Sequence, residues 1–104
     1  MLTVLETKRA GRELEHIASQ MISLKASISF VDEVHKTYER IAIVPTIGSL
    51  IEELVGTRFE NYRRCTVKKF RNYIVIYSFN EDTLTIHRVF DGRREYVQLF
   101  ENDE

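Results

Sequence analysis

The sequence predicts an α+β domain of order β-α-α-β-β-β, in which an N-terminal helical hairpin packs on a small antiparallel sheet. Three observations predict it. The first half holds two amphipathic runs, with apolar residues at three- and four-residue spacing and only a short break between them. The second half holds the most apolar run in the chain, Tyr73-Ile74-Val75-Ile76-Tyr77, built of β-branched and aromatic residues. A compact turn, Asn80-Glu81-Asp82, joins that run to a second stretch of strand-forming residues. At 104 residues the chain is expected to be one domain, spanning 1–104 and able to bury a core without staples.

Leu2 to Leu5 reads as a short terminal strand. Thr7 offers an N-cap, and Ala10, Leu14, Ile17, Ala18 and Met21 follow at helical spacing, which predicts a helix from about Lys8 to Ile22. Gly11 within it costs about 1 kcal/mol against alanine and predicts fraying of the first turns. Ser23-Leu24-Lys25 is the break. A second helix is expected from about Ser27, with Phe30, Val34, Tyr38 and Ile41 as its stripe. It ends near Val44, because Pro45 pushes the residue before it out of the α region. So short a break makes the two helices antiparallel neighbours.

Pro45 to Ser49 is the loop that follows. Leu50 to Val55 reads as a short helical turn, stopped by Gly56. Arg63 to Lys69 reads as a strand that turns at Phe70–Asn72 into a second, Tyr73 to Phe79; Thr83 to Phe90 is the last. For the tail, Glu95 to Glu104, a short amphipathic helix and a docked strand both fit. The strand from Tyr73 is apolar on both faces, with Tyr73, Val75, Tyr77 and Phe79 on one and Ile74 and Ile76 on the other. It belongs in the middle of a sheet covered on both sides. The hairpin covers one face. The other is left to the tail, through Val97, Leu99 and Phe100, or to a partner chain.

Composition narrows the chemistry. The single cysteine, Cys65, excludes an internal disulfide and fits a reducing compartment. No apolar run approaches the roughly 20 residues of a membrane helix, and no basic-then-apolar leader opens the sequence, so the cytoplasm is expected. His16, His35 and His87 show no ligand spacing, and with one cysteine neither a metal nor another cofactor is expected. The four glycines are isolated, so there is no phosphate loop. Charge is unevenly spread: residues 1–57 carry a balance of −2, residues 58–94 one of +5, and residues 95–104 one of −4. The basic region, with Arg63, Arg64, Lys68, Lys69 and Arg71, could attract nucleic acid or an acidic protein, or simply discourage edge-to-edge strand pairing. Arg93 and Arg94 close a strand after Gly92, where an arginine can grip a phosphate or carboxylate with two hydrogen bonds, or pair with the acidic tail. Arg88 shares strand parity with Leu84, Ile86 and Phe90, which predicts a buried carboxylate partner or a bulge that turns it outward.

Four stretches taken together resemble a known family. They are the helical opening with Ala10 and Leu14; Pro45-Thr46-Ile47-Gly48-Ser49; Val67 to Tyr77, VKKFRNYIVIY; and Ile86 to Arg94, IHRVFDGRR. In this order they resemble the ParE branch of the ParE/RelE superfamily, the toxins of type II toxin–antitoxin systems. Asp91 stands where the family usually has His, Glu95 where it has Asp, and Arg71-Asn72 where a proline is common. The resemblance implies a toxin that poisons DNA gyrase by binding, without catalysis, and that a cognate antitoxin wraps and neutralises. Target-binding candidates are then Arg88, Arg93, Arg94 and Tyr96. Antitoxin-binding candidates are Tyr73, Val75, Tyr77, Phe79, Leu99 and Phe100. The alternatives are a RelE-type ribonuclease that cuts mRNA on the ribosome, or a relative that only binds antitoxin. The ribonuclease branch needs a cluster of cations and a general acid or base. Its strand arginine falls on Ile74 here, and its final tyrosine on Phe100. Tyr96 with Arg94, and Lys68, Lys69 and Arg71 for RNA binding, could substitute.

Overall fold

The computed structural model describes residues 1–93 and Phe100. In it, β1 (Thr3–Glu6) leads into α1 (Lys8–Ser19) and α2 (Leu24–Ile43). After these come β2 (Ser49–Leu50), a 3-10 turn (Glu52–Leu54), β3 (Arg63–Val67), β4 (Phe70–Phe79) and β5 (Thr83–Asp91). The five strands form one sheet in the order β1-β5-β4-β3-β2. The expected α+β class and the helical hairpin are both present. The sheet is mixed, not purely antiparallel: β1 runs parallel to β5, Thr3 opposite Thr83 through Glu6 opposite Ile86. The reason is connectivity. Between β1 and β5 the chain reverses direction an even number of times, so its first and last strands point the same way when they meet.

Both helices start at the caps their sequence offers. Thr7 Oγ1 accepts a hydrogen bond from the Ala10 amide at 3.1 Å, and Ser23 Oγ accepts from that of Ala26 at 3.1 Å. The second cap starts α2 at Leu24, three residues ahead of the expected Ser27, and α1 closes at Ser19 instead of Ile22. The predicted stripe of α2, Phe30, Val34, Tyr38 and Ile41, is buried along its whole length. From α1 only Ala10 and Leu14 are buried.

β4 divides the core in two. Val75 and Tyr77 point to the helices, in a layer with Phe30, Val34 and Ile41. Ile74 and Ile76 point away, into a second layer with Ile51, Leu54, Phe90 and Phe100. Phe59 and Tyr62 pack against that layer. The second face is thus covered by the segment between β2 and β3 and by Phe100, one of the three tail residues expected there. Val97 and Leu99 lie outside the described residues.

Two sequence expectations for the sheet need correction. The turn between β3 and β4 is at Lys68–Lys69, not Phe70–Asn72, because Lys69 takes the left-handed region with φ +69°. Phe70 therefore opens β4 and meets Phe30 edge-on, with ring centres 5.2 Å apart. In β5, pairing steps from Tyr77 opposite Ile86 to Ile76 opposite Arg88, which leaves His87 as the extra residue of a bulge. The bulge inverts strand parity. Leu84, Ile86 and Val89 face the helices, and Phe90 belongs to the other layer. Arg88, opposite Ile76, therefore does not share the face of Leu84 and Ile86.

One buried hydroxyl ties the centre of the sheet to the loop after α2. Tyr77 Oη donates to the Pro45 carbonyl at 2.6 Å and accepts from the Gly48 amide at 2.9 Å. Arg63 Nη1 donates to the Gly48 carbonyl at 2.7 Å. A Cβ at Gly48 would stand 2.5 Å from the Arg64 carbonyl oxygen and 2.6 Å from Tyr77 Oη, so only glycine fits. Pro45–Ser49 is thus a structural clamp. Replacing Tyr77 by Phe strands a buried amide and a carbonyl, and should cost about 1–3 kcal/mol of unfolding free energy. Gly48→Ala should cost more than Tyr77→Phe, since the clash is with backbone. Urea titrations of the two variants beside the parent check both.

Candidate functional site

The strand-borne arginine is committed inside the molecule. β1 pairs with β5 only as far as Ile86, so beyond it the edge of β5 is open. Thr7 continues the line of β1: its amide donates to the Ile86 carbonyl at 3.1 Å and its hydroxyl to that of His87 at 3.2 Å. Glu13 of α1 comes next. Its Oε1 accepts from the Val89 amide at 3.2 Å. Its carboxylate also accepts from Arg88, from Nε at 3.0 and 3.1 Å and from Nη2 at 2.8 Å. Both predicted alternatives for Arg88, a carboxylate partner and a bulge, therefore occur together. With its side chain only 11% exposed, Arg88 is a tie between α1 and β5.

Arg93 sits in the turn after β5 and is exposed. Its guanidinium forks onto Asp91, with Nη2 to Oδ2 at 2.6 Å and Nε to Oδ1 at 3.0 Å, and its amide also donates to Oδ1 at 3.0 Å. Asp91 thus closes this turn. Hydrogen bonding to Asp91 and its charge hold the Arg93 pKa above the ordinary value. Arg94 and Tyr96 lie outside the described residues.

The basic residues separate into two groups. Arg63 is spent on Gly48, and Lys69 lies 3.6 Å from the buried carboxylate of Glu33. Arg64, Lys68 and Arg71 converge, with Arg40 of α2, on an open cleft of about 580 Å³ at the outer edge of β3. Cys65 lines the same cleft, and burial pushes its thiol pKa up against the opposing pull of the Arg40 charge. That is the reverse of what a nucleophilic cysteine needs.

The antitoxin-binding candidates fare differently from one another. Val75 and Tyr77 are fully buried under the helices, so neither can serve as a surface contact in this state. The physical reason is that the helical hairpin took the face assigned to the partner. Tyr73 is half-buried against Phe30, with ring centres 5.1 Å apart. Phe79, at the strand end, is 38% exposed. Phe100 is buried in the second layer, 5.4 Å from the Phe59 ring and 5.8 Å from that of Tyr62. Leu99 lies outside the described residues.

One feature escaped the sequence reading. His87, the bulge residue, stacks on Tyr62 at 4.2 Å and 13°, and its Nε2 is 2.7 Å from Ser78 Oγ. Arg9, Tyr62 and Phe100 line a small cleft with it, of about 210 Å³. Burial lowers the His87 pKa from its ordinary 6.5, which favours the neutral ring. Alternation from Leu84 and Ile86 puts His87 on this face, but its partners Tyr62 and Ser78 come from other strands and segments that residue spacing does not announce. Among the described residues no group of His, Cys, Asp or Glu could hold a metal ion, and no helix is long and apolar enough to cross a membrane.

Two helices on a five-stranded mixed sheet define an α+β architecture found in solved proteins. A structure described as a chromosomal ParDE toxin–antitoxin system from P. aeruginosa superposes with a TM-score of 0.69 over 88% of this chain and 96% of that one, at 14% identity. A conserved hypothetical protein from Helicobacter pylori superposes with a TM-score of 0.50, over 89% and 97%, at 18% identity. Both likenesses are of fold. No curated protein matches the sequence. The model of the family described as the ParE toxin of type II toxin–antitoxin system, parDE, matches residues 4–96, and the chain belongs to that family.

Two measurements test the groups around the bulge. Arg88→Met leaves Glu13 without its cation and should lower stability by about 3 kcal/mol, the lower end for a broken buried ion pair, because Glu13 keeps 22% of its side chain exposed. Adding Glu13→Leu should recover only part of that loss in urea titrations, because the Val89 amide then loses its acceptor. For His87, the unfolded chain binds the proton more readily than the folded one. Its contribution is therefore full above about pH 6.5 and is lost as pH falls through the lowered folded value. The fall in urea midpoint between pH 7.5 and pH 5.5 should shrink in His87→Gln.

Proposed function

We propose that this chain is the toxin of a type II toxin–antitoxin pair. In this reading it inhibits DNA gyrase by binding in the cytoplasm, and a cognate antitoxin neutralises it. Membership of the ParE family supports the toxin role. The observation that carries the choice of binding over catalysis is the filling of the second sheet face. Ile74, which stands at the position of the ribonuclease branch's strand arginine, is 1% exposed. It is packed with Ile51, Phe90 and Phe100, and Phe100 itself stands where that branch has its tyrosine. A layer of apolar side chains offers no charge to a transition state that carries extra negative charge on phosphorus-bound oxygens. Of the basic side chains beside that layer, Arg88 is paired with Glu13, Arg58 lies over the Phe59 ring and Arg9 lines the cleft with His87; the basic groups described above lie at the β3 edge and at Arg93.

The test is a supercoiling assay with purified gyrase and this chain. Loss of supercoiling together with trapped, cleaved DNA is expected, reversed by the cognate antitoxin. The charge-reversed variant Arg93→Glu should weaken gyrase inhibition more than antitoxin binding, if this turn faces the target. Full gyrase activity combined with ribosome-dependent mRNA cleavage would replace this reading with the ribonuclease one. Inactivity in both assays, with antitoxin binding intact, would leave a relative that only binds antitoxin.

A further inference from the structure

The basic cleft at the β3 edge has no role in the fold described above. Its cations come from three separate segments: Arg40 near the end of α2, Arg64 in β3, and Lys68 and Arg71 around the β3–β4 turn. Ser49 and Thr66 add hydroxyls to the same walls, and among the described residues that line it none is acidic. Collecting four positive side chains costs Coulomb energy, partly screened by solvent. In a protein whose formal net charge is −1, this concentration is local and not a by-product of a basic composition.

Geometry narrows the ligand. β2 pairs with β3 only at Arg63 and Arg64, and there the chain bends inward at Gly48, towards Tyr77. A Cβ on Gly48 would already touch the Arg64 carbonyl at 2.5 Å, so the loop stands hard against β3 at that point. Beyond that point β3 leaves only Cys65 to Val67 without a strand partner on this edge, a short row for an added strand, and the walls present charged side chains and hydroxyls. Arg64 and Thr66 lie on one face of β3, opposite Ile76 and Ile74, and two residues of strand advance by about 6.8 Å. That step is comparable to the distance between successive phosphates of a nucleic-acid strand. Arginine forks and hydroxyl donors suit phosphate oxygens.

We infer that this cleft binds the phosphate backbone of a DNA strand, so that the protein touches DNA itself when it acts on its target. The inference rests on the gyrase reading for its biological setting, but not for its test. Binding is independent of base sequence and confined to the cleft.

The experiment uses the full chain without gyrase. A fluorescein-labelled single-stranded oligonucleotide of mixed sequence is titrated by anisotropy across a series of salt concentrations. Four contacts at about 0.7 released ions each give a slope of log K against log salt of roughly −3. Lys68→Gln with Arg71→Gln should reduce that slope by about 1.4 and weaken binding at every salt concentration. Both side chains are exposed, so the double variant should fold, which its circular dichroism and urea midpoint verify. Lys25→Gln, an exposed charge at the far end of α2, should leave the slope unchanged. Absence of salt-dependent binding, or an unaltered slope in the double variant, overturns the inference. So does tighter binding of a poly-glutamate peptide than of the oligonucleotide, which would assign the cleft to an acidic protein. Gyrase inhibition without DNA binding would remove this inference alone. DNA binding with gyrase untouched would sustain it and remove the gyrase reading.

Discussion

The fold depends on a strand that cannot tolerate water on either side. β4 carries Val75 and Tyr77 on one face and Ile74 and Ile76 on the other, all buried. At about 25 cal/mol per Å² of apolar surface, exposing either row would forfeit several kcal/mol, a large part of what a domain of this size has in hand. Two covers are therefore obligatory. The hairpin of α1 and α2 supplies one with Phe30, Val34 and Ile41. The other is assembled from short pieces: the 3-10 turn with Leu54, the aromatic pair Phe59 and Tyr62, and Phe100. The thick cover has regular structure. The thin one is a mosaic, and its members are separated along the chain.

The last strand carries a second constraint. β1 is too short to pair with all of β5, and an open row of amides beside a core is costly. The chain finishes the edge with side chains, Thr7 for the next carbonyl and Glu13 for the Val89 amide. The same carboxylate binds Arg88. One acidic residue of α1 thus acts as a substitute strand and as a counter-ion. Arg88, which carries the pair, directly follows the bulge residue His87.

Much of this was legible in the residues. Stripes at helical spacing located both helices, Thr7 was readable as a cap, and the two-sided apolar run located the central strand. What was hidden has specific causes. Lysine at φ +69° disguised the β3–β4 turn, because Arg71-Asn72 carries more turn-forming chemistry than Lys68-Lys69. A bulge is one uncounted residue, so parity placed Arg88 and Phe90 on the wrong side while placing Leu84 and Ile86 correctly. The parallel pairing of β1 with β5 leaves no local trace, since strand order is decided by connectivity. Val75 and Tyr77 were read as partner contacts because pattern alone marks a face as apolar without saying what covers it. The basic cleft was half legible: Arg64, Lys68 and Arg71 stood out in sequence, but Arg40 joins them only through the docking of α2.

The pairing of the first strand with the last has a temporal consequence. Thr7 and His87, joined by a hydrogen bond, are 80 residues apart. The β4–β5 hairpin can form from neighbouring residues, but the sheet gains its outer strand only once β5 has been made. Contacts of such long range are slow to form, because the intervening chain must be closed into a loop first. During synthesis the N-terminal strand and the helical hairpin emerge from the ribosome well before the surface they are to cover. A nascent chain therefore lacks its finished core until β5 has been made, and the order of synthesis itself delays the appearance of a competent molecule.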